Sequence, residues 1–111
     1  MILKRNYNLD VVPGGLPLLI RASRKDTSST LVFSLFAGEG VLEIPAGTTA
    51  IMRGNGISTV AAFSITNGIP RVTVDLTADM TEKAGWIPFE IVLTVSNYTL
   101  VTATLYLDVR G

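Results

Sequence analysis

Three carboxylates lie near one another in the chain, Asp75, Asp79 and Glu82. Paired carboxylates can work as general acid and base or hold a hard cation. Their surroundings point elsewhere. Thr77 to Gly85 has a capping residue, early acids, a late lysine and a terminal glycine, which predicts one short helix whose first turns favour negative charge. Asp75 falls on the polar side of the strand before it. No catalytic or metal-binding residue is assigned, because the chain has no histidine and no cysteine. Without them, Ser-His-Asp triads, Cys-His pairs, imidazole acid/base chemistry and the usual zinc sites cannot be built. No enzymatic activity and no cofactor are expected.

The other suggestive motifs also have plain structural readings. Gly38-Glu39-Gly40 and Gly54-Asn55-Gly56 contain Gly-x-Gly, but neither leads into the long helix that a phosphate cradle needs, so both are expected to be turns. Arg24 and Lys25 are followed at once by Asp26 and have no alternating aromatic rings beside them, which predicts a solvated loop and no nucleic-acid contact. Asn97-Tyr98-Thr99 matches the short N-glycosylation pattern, which occurs often by chance. Trp86 is expected to cover one end of the core. Exposed and grouped with Tyr7, Tyr98 or Tyr106, it would instead suit a sugar-binding platform, which needs more than one ring.

The whole composition agrees with a folded module that acts by contact. A chain of 111 residues fits one domain over 1–111. Nearly half of it is apolar and its formal charge is zero, so it can bury a core and has no field to gather phosphate polymers. The first ten residues do not read as a secretion signal, and no apolar stretch approaches the ~20 residues of a membrane helix. Neither a membrane nor a small-molecule substrate is expected as a partner.

Apart from the helix, the dominant pattern has period two, with Val, Ile, Leu and Thr filling it and Gly, Pro and Asn interrupting it. Tyr7, Leu9 and Val11 share one face of a first strand, which ends at Pro13-Gly14-Gly15. A second extended segment covers 16–22, and a polar loop then leads to Leu31, Phe33 and Leu35. Val41, Leu42 and Ile44 suggest a very short strand. Thr48 to Arg53 and Thr59 to Ile65 flank Gly54-Asn55-Gly56, with the choice between Ile51 and the Ala50/Met52 pair as the inward face left open. Val72, Val74 and Leu76 share a face. At the end of the chain, Ile87, Phe89, Ile91, Leu93 and Val95 form a hairpin with Val101, Ala103, Leu105, Leu107 and Val109. This many short strands predict an all-β, two-sheet antiparallel β-sandwich with one short helix.

The order of these residues resembles the N-terminal domain of phage baseplate upper proteins, the BppU-type family. Asp26-Thr27 before Leu31-Val32-Phe33-Ser34-Leu35 is similar to the family's entry into a strand. Val72 to Leu76, Thr77-Ala78-Asp79-Met80-Thr81 and Ala84-Gly85 are similar to its strand, helix and cap, and Phe89 to Leu93 with the strand through Val109 complete the likeness. It covers almost the whole chain, although its motifs are those of a fold. The chain departs from the family at the short Gly54-Asn55-Gly56 loop and in having no fibre-forming or receptor-binding region after Gly111. Two expectations follow: an anchor domain cut from a longer chain, or a self-contained virion protein.

The resemblance implies an immunoglobulin-like β-sandwich in a virion structural protein, made in the bacterial host cytoplasm, that attaches receptor-binding or fibre components at a baseplate, tail fibre or head fibre, or decorates the particle. Its partners would be other virion proteins, and its state often a homotrimer. The contacts of such a connector are expected around Lys4, Arg5, Tyr7 and Leu9, at Arg24 and Lys25, and at Trp86. The alternative is a carbohydrate-binding β-sandwich module.

Overall fold

The computed structural model describes residues 3–11, 17–38, 42–102 and 104–111. It is all-β among these residues, with nine strands: β1 (Leu3–Asp10), β2 (Leu18–Ser23), β3 (Ser29–Phe36), β4 (Thr49–Gly54), β5 (Ile57–Thr66), β6 (Ile69–Asp75), β7 (Gly85–Val95), β8 (Tyr98–Val101) and β9 (Leu105–Arg110). They follow one another sideways as β1-β3-β6-β5-β4-β7-β9-β2, with β8 on β7.

Two long strands turn this ribbon around a single core. β5 pairs with β4 through Ile57 to Ala61 and with β6 through Ala62 to Thr66. β7 pairs with β9 through Gly85 to Phe89, and with β4 through Glu90 to Thr94. The result is a sheet bent at β5 and β7, sandwich-like or barrel-like, whose two ends are β1 and β2. Phe33, Leu31 and Leu35 of β3, Val72 and Val74 of β6, Met52 of β4, Phe89, Ile91 and Leu93 of β7, Leu105 and Leu107 of β9 and Ile20 of β2 fill the interior. Each alternates with a residue on the outer face, as a pleated strand requires. Ala50 and Met52 are the inward pair of β4, which puts Ile51 outside.

Two hairpins are made by Asn-Gly pairs. Asn55-Gly56 and Asn67-Gly68 have positive φ at both positions, 53° and 74°, then 51° and 78°. That geometry matches the twist of the strands it joins.

The structure corrects the expected fold in several places. The sheet is not purely antiparallel, because β1 runs parallel to β3 and β2 parallel to β9. The short helix expected from Thr77 to Gly85 is absent. Met80 and Thr81 donate backbone bonds to Thr77 and Ala78, but the carbonyl of Thr81 accepts from the backbone N–H of Lys25, and its hydroxyl accepts from Asp26. A segment this short gains little from its own helical bonds, and burying Met80 while tying Thr81 to the loop after β2 decides its shape.

Leu42 and Ile44 form no strand, although Ile44 is buried. The expected Pro13-Gly14-Gly15 turn, Leu16, Glu39-Gly40, Val41 and Ala103 lie outside the described residues.

The last hairpin contains a bulge. Between the pairs Val92↔Val101 and Phe89↔Leu105 there are two residues on β7 and three on the returning side. Thr102 anchors this point, donating its N–H to the Ile91 carbonyl at 3.0 Å and accepting from the Ile91 N–H on its hydroxyl at 3.1 Å. One extra residue reverses the alternation. Val101 therefore faces outward, against the expectation that it shares the inner face of Leu105, Leu107 and Val109.

Candidate interaction surface

The expected contact residues divide between the surface and the core. Lys4 is exposed on β1. Arg5 is half-buried and donates from Nη1 to the carbonyl of Arg21 at 2.5 Å, with its guanidinium 5.6 Å from the centre of the Tyr7 ring. Tyr7 is half-buried against the core, its ring 6.0 Å from that of Phe33. Leu9 is 3% exposed and belongs to the core. It holds β1 in place.

Arg24 and Lys25 are exposed in the loop after β2, where Lys25 has a φ of 58°. Arg24 Nε donates to the carbonyl of Glu82 at 2.7 Å. In the same loop Asp26 accepts from the backbone N–H groups of Ser28 and Ser29 and from both of their hydroxyls. Burial pushes the Asp26 carboxyl upward, but these bonds together outweigh it and hold its pKa below the usual aspartate value.

Trp86 is not a core residue. It is 65% exposed on the outer face of β7, because the inward places there belong to Ile87 and Phe89. Its ring lies 6.1 Å from that of Tyr106 on β9, at 48°. Sheet register places Arg21, Asp108 and Trp86 in one row and Leu19, Tyr106 and Pro88 in the next. Asp108 is buried within this face and accepts from both Nε and Nη2 of Arg110, at 3.1 and 2.9 Å. Those bonds and the charge of Asp108 push the Arg110 pKa still higher, so it stays cationic. The face combines two adjoining rings with Leu19 and three charged side chains.

A second outer surface was not legible in the sequence. Val60, Ile51, Val92 and Val101 are direct cross-strand neighbours over β5, β4, β7 and β8. They make an apolar row on the outer face of the sheet, in which Val60 is 84% and Val101 38% exposed while Ile51 is half-buried and Val92 is covered by its neighbours. The row beside it is polar, with Arg53 Nε bonded to Glu90 Oε1 at 2.6 Å next to Ser58. On the other side lie Thr49, Thr94 and Thr99. A rimmed apolar strip of this kind is a recognisable contact surface. Period-two alternation marks Val92 as outward, but only the pairing brings the four residues together.

The remaining motifs are structural. Asp75 accepts from the Thr30 hydroxyl at 2.6 Å, while Asp79 and Glu82 are exposed. Among the described residues no group of His, Cys, Asp and Glu is placed to hold a metal ion, and no helix is long and apolar enough to cross a membrane. Gly54 lets its strand approach β7. A Cβ there would lie 2.3 Å from the Pro88 carbonyl and 2.7 Å from the Phe89 ring. Asn97 occupies the tight turn between β7 and β8.

No family model matches the chain, and no curated protein matches it. Among solved structures it is similar to the N-terminal domain of phage TP901-1 ORF48, with a TM-score of 0.73 over 99% of this chain and 100% of that chain and 10% identical residues. At that identity the likeness is one of fold: the chain is built as the N-terminal domain of the phage baseplate protein BppU is built, the family that its sequence resembles.

Proposed function

We propose that this domain is a non-enzymatic structural component of a phage particle that connects other virion proteins at the baseplate, a tail fibre or a head fibre. The observation that carries the reading is the fold likeness to a baseplate domain along the whole length of both chains. The apolar row from Val60 to Val101 and the Trp86 face are consistent with it, since a connector needs contact surfaces on a rigid scaffold. A homotrimer follows from the symmetry of the shafts such connectors carry.

Antibody labelling of purified particles tests the assignment, and the expected result is a label confined to one structure of the virion. Absence of the chain from purified particles overturns it. Light scattering of the purified protein tests the trimer, with a mass of one chain at every concentration as the opposing result.

A carbohydrate-binding module is the second reading, and the pairing of exposed Trp86 with Tyr106 favours it. Two adjoining rings beside charged groups can stack on a sugar and bond its hydroxyls. A glycan panel read with the native protein and Trp86→Ala decides this: binding lost in the variant supports the module, and no binding by the native protein removes it.

A further inference from the structure

The two ends of the sheet face one another without joining. β1 is paired only to β3 and β2 only to β9 among the described strands. The pairing also fixes which backbone groups remain. Leu3 donates to Ser28 and Val11 to Phe36, so the odd residues of β1 point their amides at β3. Lys4, Asn6 and Asn8 therefore point theirs away from it. On β2, the bond from Arg24 N–H to Arg110 puts the even residues in register with β9. Leu19, Arg21 and Ser23 then face the gap, and the bond from Arg5 Nη1 to the Arg21 carbonyl agrees with this phase.

The gap is a groove of about 400 Å³ lined by Leu3, Arg5, Arg21, Ser23, Ser29 and Arg110, among others. Arg5 lies in the inward-facing series of β1, with Tyr7 and Leu9. An inward-pointing charge on an edge strand is a known guard against unwanted pairing. Here the guard is one side-chain bond to a carbonyl, and the N–H of an incoming strand can replace it.

The charges around the gap are unbalanced. Asp26 is taken up by Ser28 and Ser29, and Asp108 by Arg110. Lys4, Arg5 and Arg21 have no carboxylate within salt-bridge distance among the described residues.

We propose that the groove between β1 and β2 receives one extended, acidic strand from a partner protein, which pairs with both edges and closes the sheet. Addition of a strand to a free edge takes affinity from the backbone and selectivity from alternate side chains. The carboxylates of the guest meet Lys4 and Arg21 on the outer face, and its apolar residues face the interior near Ile20 and Tyr7. The inference is independent of the virion assignment.

A fluorescent ten-residue peptide alternating Val and Glu is the probe. The native protein is expected to bind it and not its Val/Lys counterpart. Methylation of alternate backbone nitrogens in the Val/Glu peptide abolishes binding, and Arg21→Glu, a change at an exposed side chain, weakens it about tenfold or more. Hydrogen exchange on the saturated protein slows at Lys4, Asn6, Asn8, Leu19, Arg21 and Ser23, while Arg5 and Tyr7 are unchanged. Failure of the native protein to bind overturns the proposal. Equal binding of the methylated peptide, or protection confined to other strands, does so as well.

Discussion

β7 has partners along both edges and sends Ile87, Phe89, Ile91, Leu93 and Val95 into the core. Among the described strands β1 has one partner, and only Leu9 of its eight residues is buried. Both segments alternate, yet one holds the molecule together and the other closes little. In the centre of the sheet the inward-facing apolar side chains find neighbours on all sides. At the ends, backbone groups stay unpaired and polar side chains guard them. The centre therefore carries stability, and the ends keep backbone groups open for contact.

The sharpest way to test that contrast is to remove a ring from the centre. Phe33→Ala is expected to cost about 3–5 kcal/mol of folding stability, read by urea unfolding. Leu3→Ala on exposed β1 should stay within about 0.5 kcal/mol. Similar losses at the two positions would erase the distinction.

Next in size is the approach of β4 to β7. Gly54→Ala places a methyl against the Pro88 carbonyl and the Phe89 ring, and should cost roughly 1–3 kcal/mol. A stability equal to that of the native chain would mean that the two strands can separate at this point without penalty.

The loop after β2 gives a smaller, pH-dependent effect. The folded pKa of Asp26 is depressed, so its contribution is complete above the unfolded pKa and disappears as pH falls through the folded value. Asp26→Ala should lose ~1 kcal/mol at pH 7, given solvent screening. Its unfolding midpoint should converge with the native one in acid, and a constant difference down to strongly acid pH would contradict this origin.

The smallest effects belong to the outer surfaces. Val60→Thr and Trp86→Ala should each change stability by less than about 0.5 kcal/mol while altering assembly or sugar binding. A large loss of stability from either would show that the residue supports the fold itself.

Much of the strand pattern was legible, because period-two alternation is local. It located Leu31, Phe33 and Leu35, Val72 and Val74, and the alternating residues from Ile87 to Val95 on the inner face, and Gly54-Asn55-Gly56 marked one hairpin turn. It also limited the chemistry, since a chain without imidazole or thiol cannot use either. The candidate surface was far less legible. Lys4, Arg5 and Trp86 were named as contact residues and Tyr106 only as one of three possible ring partners of Trp86, while Arg21 and the row from Val60 to Val101 were not.

What the sequence determined by itself is thus most of the strands, most of their inward faces, and the kinds of reaction this chain lacks the groups to perform. Tertiary structure decided the parallel pairs at the two ends, the bulge at Thr102 that turned Val101 outward, and the irregular path of 77–84. It also decided the exposure of Trp86. Each depends on which distant segment supplies a hydrogen bond or a packing surface, and a strand's own periodicity does not specify its neighbour.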